Sequence, residues 1–342
     1  MNLKNHNRAH DQQADNASRQ GERGAALLIV ILLSATMSLI ALSISERTTL
    51  SAVQSTNFRA RSEALWYGFG AQAIAMRGLR DIVVASEGVM SRDAAWAREP
   101  ATLPIEGGLV EIFFADATVC FNINWLGDGE PPEPGAPTDG EREFTRLMEL
   151  LGLPERDGER IAGIIRDWID EDDQRGLFGA EDEVYTLKPS PYRTAGGPVT
   201  SVSEVRALDG ISRDLYLTLK PFLCALPSNT PSIMNINMLT PERAALLAAA
   251  LGEEITLRQA LAFITRRPAG GYQTLEAFLS DEMATELEIS PEVRNRFALD
   301  SGFMRARAEI VYNDALVEMT MDLTVGADGE VEMRARRLGA EE

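Results

Sequence analysis

The chain has 342 residues with ordinary apolar (45%) and charged (25%) shares, room for a membrane segment and one or two folded units. Its formal net charge of −19 repels phosphate backbones and anionic lipid, which argues against nucleic acid as a partner. Both histidines, His6 and His10, precede the first apolar run, so a chain that loses this leader has no imidazole for a triad, a general base or a metal site.

The leader, residues 1–24, carries Lys4, Arg8, Arg19 and Arg23 against Asp11, Asp15 and Glu22. It runs into "GERGAALLIVILLSATMSLIALSIS" (21–45), uncharged from Ala25 to Ser45. As a helix that stretch spans about 30 Å, longer than the roughly 7–15 apolar residues of a secretory signal. The basic excess before it predicts a cytoplasmic N-terminus and an exported body. No proline interrupts "ERTTLSAVQSTNFRARSEALWYGFGAQAIAMRGLRDIVV", and Leu65, Phe69, Ala73 and Met76 recur at helical spacing. One helix is therefore expected from the membrane to near residue 84, its outer half packed on a domain. Gly68, Gly70 and Gly78 weaken it, each by up to about 1 kcal/mol relative to alanine.

Residues 85–107 read as a loop. "GLVEIFFADATVCFNIN" (108–124) reads as a hairpin turning at "ADAT", and "GDGEPPEPGAPTDG" (127–140) as a loop. From 141 to about 298 the pattern is helical. At the end, Val317, Met319, Met321, Leu323 and Val325 alternate with Glu318, Thr320, Asp322 and Thr324; with "FMRARAEIVY" before and "EVEMRAR" after, this predicts a three-strand meander closing at "GADG". The fold class expected is α+β: a long N-terminal helix on an antiparallel sheet, with a large all-α insertion. Residues 46–126 and 299–342 form the α+β part, 127–298 the insertion and 25–45 the transmembrane half of the helix. "FNIN" (121–124) and "MNIN" (234–237) echo each other, with asparagines placed to bond nearby backbone.

A basic residue and a glycine opening a long, half-buried helix resemble the type IV prepilins and pseudopilins. That resemblance implies cleavage between Gly24 and Ala25 by the prepilin peptidase, on the cytoplasmic side, with the apolar helix retained. The family pattern has a glutamate at the fifth mature position, where this chain has Ile29. An unpaired carboxylate in a membrane is costly, so its absence suits a subunit with no neighbour to satisfy, as at a filament tip. "DWIDEDDQRGLFGAEDEVY" (167–185), "SPYRTAGGP" (190–198), "SVSEVRALDGISRDLYLTLKPFLCALP" (201–227) and "MNINMLTPERAALLAAAL" (234–251) resemble the K-type minor pseudopilins, general secretion pathway protein K. The resemblance implies the pilin-like version of the fold. It also implies a subunit of the type II secretion pseudopilus, in the bacterial inner membrane with its body periplasmic, capping the tip with I- and J-type minor pseudopilins. Gly196 and Gly197 depart from the asparagine common near "AGGP" in that family.

Two other classes compete. "ALDGISRDLYLTL" and "NINMLTPERAALLAAALG" resemble helix-hairpin-helix units, which would suit a membrane-anchored DNA-uptake protein, but the second copy has "GEEIT" where phosphate contacts need glycines and bases. An enzyme is the third class, and "DWIDEDD" has no base, nucleophile or phosphate-cradling loop beside it.

Cys120 and Cys224 are the only cysteines, and both fall in the exported part, where they are either bridged or buried as free thiols. In the acidic stretch starting at Asp170, Asp170, Asp172 and Glu181 stand at positions 1, 3 and 12, as carboxylates do in an EF-hand loop, but Arg175 occupies the glycine position and Gly176 follows it. Asp167, Asp170, Glu171, Asp172, Asp173, Glu181 and Asp182 face only Arg175 as a base. Their residues alone are compatible with a solvated acidic loop. The family resemblance implies a structural calcium, for which Asp170, Asp172, Glu181 and Asp182 are the expected ligands, as hard oxygen donors without His or Cys.

Overall fold

The computed structural model describes residues 4–129, 136–280, 289–326 and 328–339, with side chains from Leu27 onward. The chain divides into two units, Met1–Glu63 and Ala64–Glu342. Helix α1 (Lys4–Ser86) supplies the first, and among the described residues it is the one helix long and apolar enough to cross a membrane. Thr36, Ser38 and Ser43 turn their hydroxyls back onto the carbonyls of Leu33, Ser34 and Ile40, the arrangement that lets polar side chains sit in lipid. The expected cleavage pair, Gly24 and Ala25, lies outside the residues whose side chains are described.

In the second unit the end of α1 lies on a sheet, but not through the expected face. Its seat is Ala64, Gly68, Ala71, Ala75 and Leu79; Leu65, Phe69 and Met76 only flank it, and Ala73 is exposed. Small residues let the helix axis approach a sheet faced with long methionines. A Cβ on Gly68 would stand 2.9 Å from Met319 Cε. The helix-weakening glycine therefore has a packing reason that its propensity alone does not reveal.

The sheet is antiparallel, with strands β1 (Ala101–Ile105), β2 (Gly108–Asp116), β7 (Phe303–Tyr312), β8 (Ala315–Val325) and β9 (Val331–Leu338) in the order β1-β2-β7-β8-β9. The last three strands are the expected meander, with Val317, Met319, Met321 and Leu323 buried. The first two correct the sequence reading. Residues 85–107 hold a short helix α2 (Ala95–Arg98) and β1, so the hairpin is β1–β2 rather than a strand pair turning at "ADAT". At Asp116 the ladder ends because the carboxylate accepts the N–H groups of Thr118 and Val119, both at 2.9 Å, and the Thr118 hydroxyl. Pro104 is tolerated because β1 is an edge strand.

Between β2 and β7 the chain builds one frame twice. The first module opens with β3 (Phe121–Asn122), continues with helices α3 (Asp139–Leu150) and α4 (Glu155–Ile169), then α5 (Asp182–Thr186) and α6 (Arg213–Leu219), and closes with β4 (Leu223–Cys224) parallel to β3. The second opens with β5 (Met234–Asn235), continues with α7 (Ala244–Leu251), α8 (Leu257–Arg266) and α9 (Leu275–Leu279), and closes with β6 (Phe297–Ala298) parallel to β5. The wiring repeats as well as the order. Asn124 takes the N–H of Val199 and donates to the carbonyls of Val199 and Leu226; Asn237 takes the N–H of Tyr272 and donates to its carbonyl. Ser201 and Thr274 then cap the next turns, and Ser212 and Ser290 cap later ones. The echo of "FNIN" and "MNIN" is thus the visible trace of a repeated unit.

The repeat also moves a boundary. Val119, Phe121, Ile123 and Leu126, assigned from sequence to the α+β part, belong to the helical core with Phe144, Ile161, Ile165 and Leu247. The sheet and α1 bury a separate core around Met319, Met321 and Ile310.

Candidate metal centre

The acidic stretch leaves α4 at its C-terminus. Ile161, Ile164, Ile165, Trp168 and Ile169 are buried along one side of that helix, which fixes Asp167 inward and Asp170 at the C-cap. Asp167 is almost fully buried and accepts the Gly176 N–H at 3.1 Å. A Cβ on Gly179 would fall 1.8 Å from its Oδ2, so only glycine lets the returning strand of the loop pass. Arg175 donates to the Gly179 carbonyl at 2.8 Å, closing the loop from outside. Asp167 is thus an organiser of the loop that sequence reasoning did not single out. The signal available was the pair of glycines at 176 and 179 behind an inward aspartate.

The folded loop brings Asp170, Asp172 and Glu181 together, with one carboxylate oxygen from each lying within 4.8 Å of the others. That spread matches oxygens around a cation held at about 2.3–2.6 Å. Glu181 is 2% exposed, yet neither of its oxygens has a hydrogen-bond partner, and Asp170 Oδ1 is buried and equally unpartnered. Buried carboxylate oxygens are normally satisfied, and the three unpartnered ones here, both of Glu181 and one of Asp170, are what a bound counter-charge would satisfy. Burial, reinforced by Asp167, Asp170, Asp172 and Asp173, pushes Glu181 up to about 7. Burial followed by the fields of Asp167 and Asp172 pushes Asp170 up to about 6. Burial also raises Asp167, against the lowering effect of the Gly176 N–H. The donor set therefore fits a hard divalent cation.

Asp182 does not join this group. Its Oδ1 accepts from the Thr194 N–H and hydroxyl at 2.9 and 3.0 Å, and its Oδ2 faces Arg193 at 3.2 Å. It anchors the 190–198 segment beside the cluster instead of pointing into it, because the N-terminal turn of α5 directs Glu181 and Asp182 differently. That segment carries Gly196, whose N–H bonds the Trp168 carbonyl at 3.2 Å and whose Cβ position lies 3.9 Å from the Asp170 carbonyl oxygen. Trp168 packs edge-on against Tyr185 at 5.1 Å and Tyr192 at 6.2 Å, an aromatic floor under the loop. Elsewhere in the same module Cys120 and Cys224 are bonded, their Cα atoms 5.7 Å apart.

Comparison with known proteins bears on what such a molecule is. One family model described as type II secretion system protein K matches residues 119–228, and a second of the same description matches 234–299, so the two matches fall on the two modules. The chain belongs to the type II secretion system protein K family. It is 37% identical to the protein K of Pectobacterium carotovorum subsp. carotovorum, over 75% of this chain and 79% of that one. It is 31% identical to that of Aeromonas hydrophila, over 95% and 98%. A chain of the GspK-GspI-GspJ complex from enterotoxigenic Escherichia coli superposes with a TM-score of 0.72 at 25% identity, covering 84% of this chain and all of its own. Membership makes this a minor pseudopilin of the type II secretion pseudopilus with an α+β fold, and favours that reading over DNA uptake.

Proposed function

We propose that the protein caps the pseudopilus tip in a complex with I- and J-type minor pseudopilins. The observation that carries this is the likeness, over the full length of the solved chain, to a member of a GspK-GspI-GspJ complex. Ile29 in place of the filament-forming acid supports it. The prepilin peptidase cuts between Gly24 and Ala25, the retained α1 crosses the inner membrane with its N-terminus cytoplasmic, and the body works in the periplasm, where the Cys120–Cys224 bond is stable. The role is one of assembly rather than catalysis. N-terminal sequencing of membrane-extracted protein should begin at Ala25, and the full chain should purify in equal proportion with its I- and J-type partners. A start near residue 46, or long filaments of this chain alone, overturns the reading.

The same reading assigns a structural calcium to Asp170, Asp172 and Glu181, with Asp182 holding the adjacent segment in place. A bound cation supplies the charge that the orphaned oxygens lack, and so fixes the loop in the shape its partners meet. Terbium is a suitable probe, since Trp168 lies two positions from Asp170. Excitation of the tryptophan should give sensitised terbium emission that calcium displaces and that Asp172→Ala removes. Emission unchanged in that variant contradicts the assignment.

A further inference from the structure

A cavity of about 430 Å3 lies where the first module meets the open edge of the sheet. Ser201, Arg206, Tyr216 and Lys220 wall it on the module side, and Thr320 and Arg337 on the sheet side. Arg206 and Lys220 stand over the Tyr216 ring at 5.8 and 6.0 Å, and among the described residues neither forms an ion pair with a carboxylate. Arg337 reaches the wall while bonded to Asp322 at 2.5 Å. Among the described residues no acidic side chain lines the cavity, although the chain as a whole stands at −19. Thr320, on the sheet face turned away from α1, is only 3% exposed, so that part of the cavity floor is shielded from solvent.

Cations gathered around the cavity raise the local potential within about 8 Å, the screening length at physiological salt. Beyond that distance the acidic body dominates, which repels polyanions such as nucleic acid or an anionic membrane. What passes both conditions is an isolated carboxylate delivered on a protein segment. The strand beside the cavity, β9, is an edge strand with one side unpaired among the described residues, and so can align an extended segment along its backbone. We propose that this cavity receives an aspartate or glutamate side chain from an extended segment of a partner protein, laid against β9. None of these residues belongs to the metal centre, so the proposal stands apart from the calcium assignment.

The test uses the full chain in detergent and a labelled peptide, acetyl-Val-Glu-Val-Glu-Val-amide, with its glutamine counterpart as control. Fluorescence anisotropy should show the glutamate peptide binding at least tenfold more tightly than the control, with affinity falling as salt rises. Arg206→Ala with Lys220→Ala should lose that tenfold preference without changing the melting temperature, while Lys220→Arg retains it. The lysines are Lys4, Lys188 and Lys220, and Lys188 is held by Asp209 at 3.4 Å. Carbodiimide should therefore couple the peptide to Lys220. Equal binding of the two peptides, coupling mainly at Lys188, or displacement by an equal concentration of inorganic phosphate would overturn the proposal.

Discussion

The two helical modules share strands, caps and asparagine clasps, yet differ in what joins the second long helix to the clasp. In the second module α8 ends at Arg266 and residues 267–271 reach Tyr272 directly, with Arg267 bonded to the carbonyls of Ile236 and Leu239. In the first, α4 ends at Ile169 and residues 170–198 intervene before Val199. A turn of that short kind closes on backbone hydrogen bonds and one arginine. The longer excursion closes on Asp167, two glycines and a group of carboxylates that lacks a counter-charge. The lesson is that the frame is indifferent to this connection, and that the carboxylate cluster is an addition to one copy of it.

The comparison can be broken most forcefully at the disulfide. Replacing Cys120 and Cys224 by alanine should destabilise the chain by up to about 4–5 kcal/mol, given the separation of 104 residues that the bond closes. By strand register Phe121 corresponds to Met234 and Cys224 to Ala298, which makes Ile233 the counterpart of Cys120. Ile233→Cys with Ala298→Cys should therefore form a bond in the second module, seen by mass spectrometry of the non-reduced protein. Two alkylatable thiols there would show that the frames do not superpose.

Next in size are the clasps. Asn124→Ala leaves the Val199 N–H and two carbonyls without partners, and should cost about 3 kcal/mol in urea unfolding. Asn237→Ala should cost somewhat less, having fewer such bonds to lose. A negligible cost at either position would mean that the repeated asparagines do not hold the modules.

A smaller effect distinguishes the two connections by pH. Glu181 and Asp170, with values raised to about 7 and 6, keep protons in the folded state that the unfolded chain has released. Metal-free protein should thus lose stability as pH rises from about 4.5 to 7, because over that range the unfolded state binds fewer protons. Saturating calcium should cancel the loss, since the ion takes the place of the protons. A flat metal-free profile across that window would contradict the electrostatic account. Smallest of all, Gly196→Asn places an amide beside the Asp170 carbonyl at a backbone φ of +54° that asparagine accepts, and should tighten calcium binding by on the order of a few-fold.

How far the sequence reached depends on the range of the interaction involved. The meander was legible because Val317, Met319, Met321 and Leu323 alternate over adjacent residues, and the charge-free run from Ala25 marks by length alone a helix able to cross a membrane. The seat of α1 was not, since Ala64, Gly68 and Ala71 carry no hydrophobic signal and gain their role from a sheet far along the chain, Met319 and Ile310 at Gly68. Likewise β2 finds β7 across both modules, a pairing that no local pattern encodes. At the candidate site, Asp170, Asp172 and Glu181 could be picked from charge crowding and family likeness. That Asp182 faces Thr194 instead, and that Asp167 holds the loop together, depends on where α4 and α5 aim their side chains.

Calcium-dependent thermal unfolding of the full chain, freed of metal beforehand, tests the central claim most directly. The account predicts a higher melting temperature in millimolar calcium than in chelator for the native sequence, and no difference for Asp172→Ala or Glu181→Gln. The same melting temperature in calcium and chelator for the native sequence, in protein shown to be metal-free, would contradict it.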